Sequence, residues 1–82
     1  MTFQLEVEIL PKAGMLDPQG DAVERSLKAL GFAQVHTVRV GRLISLALEA
    51  DTEDEARALG AEMAEALLAN PVMETFRLEV SG

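Results

Sequence analysis

The chain has 82 residues, with three phenylalanines and no tryptophan or tyrosine, which suffices for one domain but not for a deep core. A domain near this size buries only about 60 to 65% of its unfolded surface, so association would supply the missing burial. The formal charge of −7, from 14 acids against seven bases, disfavours phosphate backbones and anionic lipid as partners, and the absence of cysteine excludes disulfides, thiolate metal sites and thiol nucleophiles.

Phe3, Leu5, Val7 and Ile9 alternate with Thr2, Gln4, Glu6 and Glu8, a period of two that predicts a strand with one apolar face. The alternation also argues against a signal peptide, and no apolar run approaches the roughly 18 residues of a membrane span. A soluble, cytoplasmic protein is expected. Pro11 closes the strand, and the loop from Lys12 to Leu16 leads to Asp17 and Pro18, an N-cap followed by proline at the first helical position. The first helix then runs to Leu30 with Val23, Leu27 and Leu30 inward, and Gly31 caps it.

Between Val35 and Glu49 the even positions Val38, Val40, Ile44, Leu46 and Leu48 are apolar. A hairpin with the three-residue loop Gly41 to Leu43 pairs Val40 with Ile44 and keeps these faces in register, whereas a two-residue loop would invert one arm. One long bent strand keeps parity equally well; the hairpin is the preferred reading. Thr52 with Glu55 forms a capping box, and Asp51, Glu53 and Asp54 place acids at the positive end of a second helix. That helix directs Ala56, Leu59, Gly60, Met63 and Leu67 along one stripe and stops at Asn70 and Pro71. Phe76, Leu78 and Val80 make a last strand. The order βαββαβ defines an α+β two-layer sandwich of ferredoxin-like type, an antiparallel sheet with two helices on one face, in a single domain spanning 1–82.

Candidates for chemistry are few. His36 has no second histidine with which to share a metal, and Ser26, Ser45 and Ser81 lie outside any Gly-x-Ser-x-Gly elbow. The acids around Thr52 are explained by helix capping. The stretch Gly14, Met15, Leu16, Asp17, Pro18, Gln19, Gly20 fits a turn with a helix cap, but glycine within a first helical turn costs about 1 kcal/mol against alanine. A close approach by another backbone or a ligand would justify it. Arg39 and Arg42 flank Gly41 in an otherwise acidic chain, where a solvated turn and a surface for an anion or acidic partner both fit. No catalytic, cofactor-binding or metal-binding residue is assigned.

The words of the sequence resemble the PurS family, small subunits of phosphoribosylformylglycinamidine synthase. The resemblance rests on Lys12 with Gly14, Leu16-Asp17-Pro18-Gln19-Gly20, Ala22-Val23, Leu30-Gly31, Val38-Arg39-Val40-Gly41-Arg42, and Ala69-Asn70-Pro71-Val72 with Glu74, and it covers nearly the whole chain. It implies a non-catalytic subunit of an ATP- and Mg-using amidotransferase complex in purine biosynthesis, with no cofactor bound by this chain. Its implied partners are PurQ, a cysteine-dependent glutaminase that releases ammonia, and PurL, which uses ATP to activate formylglycinamide ribonucleotide for attack. A homodimer or dimer of dimers is expected, with no nucleic-acid or membrane partner. The residues expected at partner contacts are Gly14, Asp17, Pro18, Gln19, Gly20, Arg39, Gly41, Arg42, Asn70 and Pro71. A small-molecule-sensing regulatory domain, with its ligand near Gly14 to Gly20, is the alternative reading of this topology.

Overall fold

The structure is a computed structural model describing Met1–Gly82. The predicted alternation near the N-terminus forms β1 (Thr2–Pro11), followed by α1 (Pro18–Ala29), β2 (Arg42–Glu49), α2 (Glu53–Met63) and β3 (Glu74–Ser81). β1 lies between β2 and β3 and is antiparallel to both. The registers place Phe3 opposite Leu48, Leu5 between Leu46 and Val80, Val7 between Ile44 and Leu78, and Ile9 opposite Phe76. All of these side chains therefore share one face. Gln4, Glu6 and Glu8 point the other way, among Ser45, Leu43, Arg77 and Glu79.

α2 covers the apolar face over β1 and β3. Thr52 accepts a hydrogen bond from the Glu55 amide (3.1 Å), while the Glu55 carboxylate accepts one from the Asp51 amide (2.9 Å). Ala56, Gly60 and Ala64 are buried along the helix's inner stripe, and a Cβ at Gly60 would stand 2.6 Å from Leu5 Cδ2, so helix and strand approach where a side chain is missing.

Leu67, expected on that stripe, is 83% exposed. The helix widens into a π-turn over Ala64–Leu68, in which the Ala69 amide donates to the Ala64 carbonyl at 2.9 Å. One extra residue in the turn rotates the phase, so Leu68 turns inward in place of Leu67.

The α+β class, the antiparallel sheet and the two helices agree with expectation, whereas the hairpin between Val35 and Glu49 does not form. Residues 35–41 run into β2 without a turn or bend and outside the ladder. The cause lies at Gly41, where a Cβ would fall 1.9 Å from the Ile9 carbonyl oxygen. The backbone passes against the end of β1 instead of reversing there. Even-numbered parity is nonetheless kept, as the long bent strand required.

α1 follows its predicted signals. Asp17 caps it, Gly31 adopts φ +104°, and the Phe32 amide returns to the Leu27 carbonyl at 3.0 Å, the closing bond of a glycine-terminated helix. Yet α1 has no sheet packing comparable to that of α2, and Val23, Leu30 and Phe32 remain exposed. The radius of gyration is 16.0 Å, against about 12 Å for a compact domain of this length.

Leu5 is fully buried beneath Gly60 and between both partner strands. Leu5→Ala is expected to lower unfolding free energy by about 2 to 5 kcal/mol, with an unchanged urea m-value, as read from equilibrium denaturation followed by circular dichroism.

Candidate functional site

The C-terminal end of β1 and the starts of β2 and β3 meet at one end of the sheet, where Ile9 pairs with Arg42 and Pro11 with Glu74. The loops that carry the candidate residues leave from this end. They form two clusters.

The first cluster is built on Asp17. Its Oδ1 accepts a hydrogen bond from the Gly20 amide at 3.0 Å, closing the helix cap, while its Oδ2 accepts one from the Val40 amide at 2.9 Å. A single carboxylate thus ties the start of α1 to the segment entering β2. Gly20 is buried, and a Cβ there would lie 2.2 Å from the Val38 carbonyl oxygen and 2.6 Å from Asp17 Oδ2. The close backbone approach that the sequence suggested is real, but the backbone belongs to this same chain. Further along α1, Glu24 pairs with Lys28 at 3.1 Å and faces the Val38 and Thr37 amides. Thr37 lies in this crossing with its backbone in the left-handed region, φ at +50°.

These contacts set the charge states. The Val40 and Gly20 amides, assisted by Arg39, hold the Asp17 carboxyl below the usual carboxylate range against a smaller opposing effect of desolvation. The hydrogen bond and charge of Lys28 do the same for Glu24, with the Val38 and Thr37 amides contributing.

The second cluster surrounds Glu74. Its Oε1 accepts from Arg42 Nη2 at 2.9 Å and from the Asn70 amide at 2.8 Å, while Arg42 Nη2 also donates to the Leu68 carbonyl at 2.8 Å. Asn70 Oδ1 accepts from the Val72 amide at 2.9 Å, and Lys12 Nζ donates to the Pro71 carbonyl at 2.8 Å. Arg42 is therefore no hairpin-tip cation: it braces the end of the π-turn against β3.

Of the ten candidate positions, Asp17, Gly20, Gly41, Arg42 and Asn70 spend their special chemistry within the chain. Gly14, Pro18, Gln19, Arg39 and Pro71 stay exposed, Gly14 with φ +85° and open space around it. The sequence reasoning omitted Glu74, Lys12 and Glu24 from the site. Each reads as an ordinary surface charge, and only the tertiary path of residues 37–40 and 68–74 reveals its partner.

Between the β1–α1 loop and residues 36–39 lies an open cleft of about 520 Å³, with Lys12, Asp17, Asp21, Glu24, His36 and Arg39 among its walls. No group of three or more His, Asp or Glu side chains is placed to hold a metal ion, and no helix is long and apolar enough to cross a membrane.

Fold and site together define a small α+β protein in which helix, crossing segment and sheet end are locked by backbone-to-carboxylate bonds and a set of loop residues is left facing outward. The family model described as PurS: Phosphoribosylformylglycinamidine (FGAM) synthase matches residues 4–82, and the chain belongs to that family. The PurS subunit of phosphoribosylformylglycinamidine synthase from Bacillus subtilis (strain 168) is 38% identical over 78 residues, covering 95% of this chain and 92% of the relative. The solved Thermus thermophilus PurS is 43% identical with a TM-score of 0.88, over 100% of this chain and 98% of that one. A chain of the Thermotoga maritima structure described as PurLQS is 27% identical with a TM-score of 0.89, over 99% of both chains.

Two outcomes follow from the Asp17 cluster. Gly20→Ala places a methyl against backbone, and overpacking of that kind costs about 1 to 3 kcal/mol, more than the roughly 1 kcal/mol that helix propensity returns. The variant is expected to melt below wild type, contrary to what propensity alone predicts. Because the folded Asp17 carboxyl titrates below its unfolded range near about 3.9, its contribution is fully present above that range and is lost as pH falls through the lower folded value. Asp17→Asn, which sets an amide donor against an amide donor if it turns its nitrogen to Val40, is expected to melt lower at pH 7. Its difference from wild type should shrink in thermal melts taken toward pH 2.

Proposed function

We propose that this chain is the small subunit of an FGAM synthase, acting in purine biosynthesis by holding a PurL-type synthetase and a PurQ-type glutaminase together and assisting ammonia passage between them. The observation that carries the reading is end-to-end similarity: the family model spans residues 4–82, and the chain from the PurLQS structure superposes over 99% of its length.

The chemistry supports such a role. Ammonia is nucleophilic only while unprotonated, and bulk water near neutral pH would protonate and dilute it. Docked active sites keep the intermediate out of solvent and its reaction effectively intramolecular. Residues serving that end are contacts, and ATP with Mg is used elsewhere in the complex. The reading also takes residues 1–82 as one domain, working in the cytoplasm as a homodimer or dimer of dimers.

Within it, Gly14, Pro18, Gln19, Arg39 and Pro71 are the partner-facing set. Asp17, Gly20, Gly41, Arg42 and Asn70 set the shape on which those residues stand. Arg39 is an exposed cation at the cleft wall and is suited to a carboxylate or carbonyl-rich partner surface.

The test is reconstitution of the three proteins with the chain at limiting concentration. Arg39→Glu and Gln19→Ala are exposed substitutions, expected to change the stability of the free chain by less than about 0.5 kcal/mol. Each is expected to raise the concentration needed for half-maximal glutamine-dependent FGAM synthesis, on the order of tenfold for a loss of about 1.4 kcal/mol. Ammonia-dependent synthesis by the PurL-type protein should change little. Wild-type titration curves for both variants would overturn the assignment of these residues, and glutamine-dependent synthesis at full rate without the chain would overturn the reading itself.

A further inference from the structure

The cleft between the β1–α1 loop, the start of α1 and residues 36–39 carries charges that the fold only partly uses. Two of its acids are taken: Asp17 meets the Gly20 and Val40 amides, and Glu24 meets Lys28 and faces the Val38 and Thr37 amides. Lys12 gives one of its three donors to the Pro71 carbonyl at 2.8 Å. Asp21, His36 and Arg39 also line the cleft, and their side chains enter no hydrogen bond or ion pair within the chain.

The wall that carries His36 and Arg39 is shaped against backbone preference. In an extended run, successive side chains face opposite ways, so four consecutive residues would not all meet one space. Residues 36–39 nonetheless all line the cleft, and the left-handed Thr37, φ +50°, breaks the alternation. A β-branched residue there is strained, and strain of this kind gathers where a binding surface has to be held in shape. The Glu24 carboxylate facing the Thr37 amide holds the segment in place.

The balance of charge narrows the ligand. Lys12 and Arg39 stand against Asp17, Asp21 and Glu24, so there is no positive excess to hold a phosphate. The two cations equally disfavour a metal ion or a simple amine. A ligand with a carboxylate at one end and an ammonium at the other satisfies both sides. The volume of about 520 Å³ lies within the range of about 300 to 1,000 Å³ usual for small-molecule sites.

We propose that this cleft binds a free α-amino acid as its zwitterion, with the carboxylate on the Arg39 guanidinium beside His36 and the ammonium on the Asp21 carboxylate. The planar guanidinium fork matches a carboxylate with two parallel hydrogen bonds. Gly20 takes no part, because Asp17 already holds its amide. The site goes beyond the functional reading and does not rest on it.

The experiment uses the chain alone in its native oligomeric state, so its failure and the failure of reconstitution with partners are separate results. Isotope-labelled protein is titrated with glycine and with L-glutamine while amide chemical shifts are followed. Saturable shifts centred on residues 12–17, 21–24 and 36–39 are expected, with dissociation constants in the millimolar range or tighter. Acetate and methylammonium each carry one end of the ligand, and they should bind at least tenfold more weakly, as should inorganic phosphate. Arg39→Gln and Asp21→Asn should each weaken binding by tenfold or more, with helix content unchanged by circular dichroism. Arg25→Gln, at an exposed position of α1 outside the cleft, should bind as wild type does. Absence of saturable shifts, equal binding of acetate or phosphate, or wild-type affinity in either Arg39→Gln or Asp21→Asn would overturn the site.

Discussion

Every layer of this protein leans on β1. It supplies the middle of the sheet, its Leu5, Val7 and Ile9 are the largest fully buried side chains, and both ladders run along it. A strand flanked on both sides has no spare backbone groups, and its period of two divides the sheet into an apolar face and a charged one. The positions of α2, β2 and β3 are answers to that division. Where the strand ends, at Ile9 and Pro11, the ladder partners are Arg42 and Glu74, and the loops of the candidate site begin.

At that end, shape is held by backbone amides meeting carboxylates. Asp17 serves the start of α1 and the Val40 amide together, while Glu74 serves Arg42 and the Asn70 amide. Exposed ion pairs alone contribute little, but these groups also satisfy amides that no ladder or helix reaches. Glycine at positions 20 and 41 lets the chain pass close to itself. A motif that could be taken for a ligand loop is thereby explained as a crossing of three chain segments, with the outward residues between its anchors available to partners.

The legible parts of the fold were those governed by local periodicity and caps. β1, β3, the N-cap at Asp17, the box at Thr52 and Glu55, and the glycine end at Gly31 all follow from neighbours within a few residues. In the Val35 to Glu49 region the alternating pattern constrains parity but is silent on whether the chain reverses. That decision is made by the Ile9 carbonyl beside Gly41, a contact distant in sequence. The π-turn escaped for a similar reason, since Leu67 and Leu68 are equally apolar and only the packing of the turn selects between them. At the site, the residue types stood out while their partners did not: the need for a close approach was readable at Gly20, but its source in Val38 was not.

The central place of β1 also bears on how the chain reaches its fold. Synthesis delivers this strand well before either of its neighbours: Thr2 meets Glu49 across 47 positions, and Glu8 meets Arg77 across 69. Neither edge of β1 can be satisfied locally. Closing such separations carries an entropic cost before any contact rewards it, which slows folding in proportion to the remoteness of the pairs. During that interval a segment of alternating Phe, Leu, Val and Ile stands with two bare edges, the type of species most prone to wrong association. The intervening acids Glu6 and Glu8 place like charges at intervals along it in every copy. Two nascent chains that tried to join β1 to β1 would bring these charges together, so the residues that keep one sheet face polar in the finished protein also guard the strand while it waits.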